Sequence, residues 1–345
     1  KGKVASKAPK GTQIEEEGSI AIVLKIKRVL SEKFIREILR EEGKKTRARV
    51  LPLAVTLILL ILRCFWGESF GGVLSRYWGE IVGNKFKKQK IPSEAAFAKR
   101  RKNIPLILFE KIFLKIKELF SIGFDSELRW KGLRVLICDG TTVLLQKSKE
   151  LRKIFGSAKN QFKESRNPVM GRMVAIVSVF SGVVWDFVLD AYKASEKDLF
   201  DKLIKKLCPT DLLILDRGFA SYYIFYRLMS NGVKFVCRLP LSFRYKVLKK
   251  IGKCDWGCMF QLTPSAKKRG VRIGWLYLRV IRIHRKGFRP MIVVTNLYDV
   301  EEYKVEDFAM LYGMRWQIET EIRNWKTYLG TVSYTHLTLP TNREV

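Results

Sequence analysis

Residues 133–145 read LRVLICDGTTVLL. The apolar, partly β-branched run stops at Asp139, and Gly140 follows it. That is the pattern of a buried strand, with an exit turn expected at Asp139-Gly140. The pattern returns in TDLLILDRGF, residues 210–219, where the run Leu212–Leu215 stops at Asp216. A helix is expected from there to about Met229, after which Asn231-Gly232 turns into a third apolar strand.

Between the two runs, VMGRMVAIVSVF (169–180) and GVVWDFVLDAY (182–192) read as strands of a hairpin turning at Ser181-Gly182. SEKDLFDKLIKKL (195–207) reads as a helix that opens on a capping box of Ser195 and Asp198. Residues 241 to about 287 are basic, contain glycine and alternate locally, as in WLYLRVIRI, so they read as a β-rich insertion. RPMIVVTNL (289–297) is a further buried strand, and VEDFAMLYGMRWQIETEIRNWKTYL (305–329) a single long amphipathic helix. Strands followed by helices, with an antiparallel pair among them, predict an α/β fold built on a mixed sheet with flanking helices.

In such sheets ligands gather at the C-terminal ends of strands, where side chains project into a crevice while the strand stays packed. Asp139 and Asp216 both hold that position. Either alone reads equally well as a turn former or helix cap. A third carboxylate comes from YGMRWQIETEIRNWK, residues 312–326. At 100° per residue, Tyr312, Arg315, Glu319 and Lys326 fall within an arc of roughly 60°, with Arg323 beside it. Leu311, Met314, Ile318, Ile322 and Trp325 form the adjoining apolar stripe, and Glu321 points away toward solvent. A surface ion pair is the plain alternative for Arg315 and Glu319, which stand four apart.

Three carboxylates suit a hard cation such as Mg²⁺ or Mn²⁺. Two such ions can activate an attacking water or hydroxyl and stabilise the leaving oxygen of a phosphodiester. Arg315 and Lys326 would hold the flanking phosphates. With only His284 and His336 in the chain, a zinc hydrolase or a histidine general-base enzyme is disfavoured.

The 345 residues include 66 Lys+Arg against 33 Asp+Glu, a formal charge of +33 spread along the chain. A surplus of that size points to a polyanionic partner, double-stranded DNA before an anionic membrane. Six scattered cysteines fit reduced thiols in a cytosol, and Cys254 with Cys258 lacks the second pair a zinc site needs. The apolar part of Val50–Trp66 stops at Arg63, short of the roughly 20 residues a bilayer span requires, so a buried helix is expected there.

Residues 1–18 read as a disordered basic arm and 19–125 as a helical DNA-binding domain. In that domain Pro92-Ser93-Glu94 starts a helix carrying Lys99, Arg100, Arg101 and Lys102, read as DNA-binding or as a solvated face. After Gly330, TVSYTHLTLPTNREV abandons both the helical period and the basic character. Residues 331–345 are expected to be a non-native tail, testable by sequencing the locus through the junction.

The spacing Tyr312-x2-Arg315-x3-Glu319-x6-Lys326 resembles the signature of the cut-and-paste DDE transposases of bacterial insertion sequences, the group founded on insertion sequence four. ICDGTT and LILDRGF look like the first and second catalytic Asp motifs of that family. The resemblance implies an RNase H-like core over 130–330, interrupted by the insertion at about 241–287, after a helical domain that binds terminal inverted repeats. It implies Asp139, Asp216 and Glu319 as a metal-binding catalytic triad for two ions, with Tyr312, Arg315, Arg323 and Lys326 on the transposon end. It further implies that the protein works as a homodimer in a synaptic complex and acts in the bacterial cytoplasm on the nucleoid; Trp256 or Trp275 in the insertion is a candidate to stack on a flipped base, with no motif to anchor it. Another metal-dependent nuclease with the same core, or a catalytically dead DNA-binding relative, would share these motifs.

Overall fold

Serine caps and apolar periodicity account for the first part of the chain. The computed structural model describes residues 26, 30–43, 51–82, 91–124, 129–158, 167–284 and 290–328, with the side chains of 80–82, 120–124 and 325–328 outside that description. The arm at 1–18 and the tail at 331–345 lie outside the described residues. Two compact units result: Lys1–Gly123 with Tyr328–Gly330, and Phe124–Thr327 with Thr331–Val345.

The described residues of the first unit are helical: α1 (Glu32–Glu41), α2 (Leu53–Trp66), α3 (Phe70–Arg76) continuing into a π-helical turn (Tyr77–Val82), α4 (Glu94–Lys102) and α5 (Leu106–Phe124). Ser31, Ser69 and Ser93 each accept a hydrogen bond from a first-turn backbone N–H, satisfying a donor the helix leaves open. Leu53, Ala54, Leu57, Ile58, Leu59 and Leu62 of α2 are buried, which makes the apolar run a core helix. Gly67 ends it in the left-handed region at φ 66°. Among the described residues, no single helix is long and apolar enough to cross a membrane.

The second unit is built on one nine-stranded sheet, order β3-β2-β1-β4-β5-β9-β8-β7-β6. The strands are β1 (Arg134–Leu145), β2 (Val169–Ser178), β3 (Val184–Ala191), β4 (Asp211–Leu215), β5 (Lys234–Arg238), β6 (Lys246–Gly252), β7 (Asp255–Gln261), β8 (Trp275–Ile283) and β9 (Met291–Thr295). β1, β4 and β5 run parallel, and every other pairing is antiparallel. The strands β6, β7 and β8 are not a separate body, because β9 pairs with both β5 and β8 and carries the sheet straight into them.

The helices are α6 (Lys149–Phe155), α7 (Glu196–Ile204), α8 (Tyr222–Ser230), α9 (Pro264–Lys268), α10 (Val305–Gly313) and α11 (Trp316–Tyr328). Strand alternation divides the core between the two faces of the sheet. Leu136, Cys138, Leu213, Leu215, Phe235 and Cys237 pack with α7 and α8. Val135, Ile137, Leu212, Ile214 and Val236 pack with Phe308, Leu311, Tyr312, Ile318 and Ile322 of α10 and α11.

Three expectations need correction. No exit turn occurs at Asp139-Gly140, since β1 continues to Leu145 on ten consecutive pairs with β2, among them Asp139 with Ala175 and Gly140 with Val174. The polar stretch after Asp139 keeps its strand geometry because β2 supplies the hydrogen bonds. Ser195 does cap α7, but its side chain makes no capping bond. The long C-terminal helix is two helices, broken at Met314 and Arg315. There the N–H groups of Met314, Arg315, Gln317 and Ile318 bond back only three residues, which tightens the turn just after Gly313, a weak helix former.

Candidate active site

Register sets the centre of the site. Cys138 pairs with Leu215, and Leu215 with Cys237, as the last in-register residues of the parallel pairs β1/β4 and β4/β5. The next residues on the three strands are Asp139, Asp216 and, as the last of β5, Arg238. All three stand at the same sheet edge, and Asp139 shares the face of Ile137, the one covered by α10 and α11.

Asp139 is held from behind by β2, and its Oδ1 accepts from the N–H of Gly140 at 2.8 Å. Burial pushes its carboxyl up to about 6 from 3.8; the Gly140 N–H and the Arg315 guanidinium oppose that, while the charges of Asp216 and Glu196 add to it. Asp216 begins a tight turn, in which its carbonyl accepts from the Phe219 N–H at 3.0 Å and from the Cys237 thiol at 3.7 Å. Lys197 fastens the end of that turn by donating to the Ala220 carbonyl at 3.1 Å.

From the opposing helices, the Tyr312 hydroxyl donates to Asp216 Oδ1 at 3.1 Å. Burial and the neighbouring Asp216 push that phenol well above its usual range. Arg315 donates from Nη2 to Glu319 Oε1 at 2.8 Å, with the two side chains 12% and 34% exposed. The same guanidinium also acts electrostatically on Tyr312, Asp216 and Asp139, so it stands among three carboxylates. Its Nε is buried without a hydrogen-bond partner.

The structure therefore brings Asp139, Asp216, Tyr312 and Arg315 together, with Glu319 one ion pair away. Among the described residues, no group of three His, Cys, Asp or Glu side chains is close enough to hold a metal ion. The Asp139 and Asp216 pair fits a hard cation all the same: two oxygen donors lie side by side at a strand edge, and burial keeps the adjacent Cys138 thiol protonated. Arg323 is exposed on α11. Lys326 lies on the same helix, with its side chain outside the described residues.

In the first unit Lys99 is exposed, Arg100 is half-buried with its Nε unpartnered, and the Arg101 guanidinium stacks 4.9 Å from the centre of the Phe70 ring. Cys254 and Cys258 are free thiols. Trp275 is 55% exposed, whereas Trp256 packs against the core.

Sequence reasoning passed over Arg238 and Glu196. Arg238 ends the run KFVCR just as Asp139 and Asp216 end theirs, and reading the third strand end by the same rule finds it. Glu196 had no such signal: its carboxyl lies where a Cβ on Gly140 would sit, 2.5 Å from its Cδ, and it pairs with Arg172 at 2.9 Å across β2. Glu321 does not face open solvent; it leans over the β2–β3 turn, with Oε1 3.9 Å from the Cβ position of Gly182.

A family model described as Transposase DDE domain matches residues 130–337, more than half of the chain. The transposase InsG for insertion sequence element IS4 of Escherichia coli (strain K12) is 23% identical over 315 residues, which takes in 90% of this chain and 69% of that protein. Two aspartates just past the last parallel pair of β1 and β4, faced by a tyrosine, an arginine and a glutamate in the spacing of the signature, thus occur in a chain that belongs to the DDE transposases, in the IS4 family.

Proposed function

We propose that this transposase cuts DNA at the terminal inverted repeats of its element and joins the freed ends to a target. The observation that carries this reading is that Asp139 and Asp216 both follow directly on the last parallel pair of β1 and β4, with the Tyr312 hydroxyl fixed on Asp216. In this reading the first five strands form an RNase H-like core. The order β3-β2-β1-β4-β5, antiparallel up to β1 and parallel from β1 to β5, supports that assignment. The strands β6–β8 are then the β-rich insertion, and the helical first unit is a DNA-binding domain.

Asp139, Asp216 and Glu319 would hold two Mg²⁺ or Mn²⁺ ions. When bound, the ions ionise the attacking water or hydroxyl and stabilise the departing oxygen. The remaining work belongs to side chains of this chain. β2 and the turn after Asp216 fix the two aspartates, so the scissile phosphate meets a preorganised edge. Tyr312 orients Asp216 through its hydroxyl. Arg315, Arg238, Arg323 and Lys326 bind backbone phosphates on either side of the scissile bond, Arg as a planar fork and Lys as a point charge. Lys99, Arg100 and Arg101 contribute to end binding from the first unit, and Trp275, the exposed member of its pair, stacks on a flipped base. Two copies bring two ends together in the synaptic complex.

The test is cleavage of DNA carrying the element's flanking ends in Mg²⁺ or Mn²⁺. Asp139→Asn should abolish cutting by at least roughly 1,000-fold while DNA affinity changes little, because a cation ligand is lost and the basic surface is kept. Undiminished cutting by the variant removes Asp139 from the site. Cutting at the ends without any joining favours a plain nuclease of the same core.

A further inference from the structure

We infer that Arg315 is a gate on the catalytic site: it holds Glu319 away from the aspartates until a DNA phosphate takes its place as partner. The inference rests on the metal-dependent reading of Asp139, Asp216 and Glu319 and adds a role for Arg315 beyond gripping DNA.

Three observations converge on it. Glu319 is engaged by Arg315 Nη2 at 2.8 Å, and among the described residues no three carboxylates come within reach of one ion. The guanidinium also acts electrostatically on Asp139 and on Asp216, which the Tyr312 hydroxyl ties to α10, so an arginine supplies positive charge to the carboxylates in this state. Finally, Arg315 Nε is buried with no acceptor, a donor left unsatisfied in this state. A phosphate oxygen is the acceptor such a donor fits, since guanidinium binds phosphate through paired N–H groups.

The exchange balances simply. Arg315 leaves Glu319 for a phosphate oxygen of bound DNA, and the freed carboxylate turns to the aspartates, where a divalent cation replaces the guanidinium as counter-charge. Arg315 and Glu319 lie at and just after the two-residue break between α10 and α11, so this helix start is not locked into one continuous rod. Binding of DNA and binding of metal then strengthen one another, as linkage requires.

The experiment measures Mn²⁺ binding to the DNA-free full chain by electron paramagnetic resonance, for the wild type and for Arg315→Gln, Glu319→Gln, the double variant and Asp139→Asn. The gate predicts that Arg315→Gln tightens Mn²⁺ binding by about tenfold, the size of one charge-assisted hydrogen bond released. It also predicts that adding Glu319→Gln cancels the gain. A gain that survives in the double variant reflects only the lost positive charge and overturns the gate, as does no gain at all. Mn²⁺ binding that Asp139→Asn leaves unchanged overturns the metal reading itself, and the gate with it. A second readout is the affinity for a random-sequence duplex oligonucleotide with and without Mn²⁺: the metal should strengthen binding in the wild type and lose that effect in Glu319→Gln.

Discussion

At the scale of single residues, a side chain of the sheet that is costly to disturb is Arg279, on β8. It is 1% exposed, pairs with Asp255 through Nε and Nη2, and donates from Nη1 to the carbonyls of Leu297 and Tyr303. One guanidinium thereby ties β7 and β8 to the loop that leads into α10, the helix carrying Tyr312. Asp255→Asn leaves a buried positive charge without its counter-ion, and an expected loss of about 3–5 kcal/mol should appear in urea unfolding. Replacing both partners with apolar residues of similar volume should cost much less, because the burial of charge disappears along with the pair.

At the scale of elements, the sheet is held by thiols as well as by aliphatic side chains. Cys138, Cys237 and Cys258 all lie in the core on the α7 and α8 face. Burial raises all three thiols, Cys258 to about 11 from 9.0. A group whose folded-state value is raised gives its full stabilisation below the unfolded value and loses it as pH climbs through the folded one. The urea midpoint should therefore fall between about pH 9 and 11, and Cys258→Ala should flatten part of that fall. Several elements were legible in the sequence because apolar runs bounded by polar or turn-forming residues mark buried segments directly: β4 stops at Asp216, β5 follows Asn231-Gly232, the β2–β3 hairpin turns at Ser181-Gly182, and the apolar run of the core helix α2 stops at Arg63. The continuation of β1 past Asp139 was not legible, since its residues become strand only through pairing with β2, a long-range contact without local signature. The break before Trp316 was hidden for the opposite reason: Met314 and Arg315 suit a helix, and the tightened turn shows only in the hydrogen bonds. Asp139 and Asp216 could be picked out by position, whereas the capture of Glu319 by Arg315 depends on side-chain geometry that an i,i+4 spacing merely permits.

At the scale of the whole molecule, charge decides how DNA is met. With +33 on 345 residues, binding should be driven largely by release of counter-ions from the duplex. Raising salt from about 50 to 200 mM should weaken binding of a random-sequence duplex by roughly 1,000-fold or more, if six or more phosphates are contacted. A flat salt dependence in fluorescence anisotropy would contradict a broad basic footprint. The register of the three parallel strands has a consequence of another kind, for what the gene tolerates. Asp139 and Asp216 meet because Cys138 is opposite Leu215, and strand side chains alternate between faces. One codon inserted between Arg134 and Asp139 would send the carboxylate to the opposite face of the sheet. Two codons would return it to the correct face but shift it about 7 Å along the strand, out of register with Asp216. Insertions in the connections between these strands carry no such penalty, so length changes in surviving copies of the element should accumulate in the loops and stop abruptly at the strand ends.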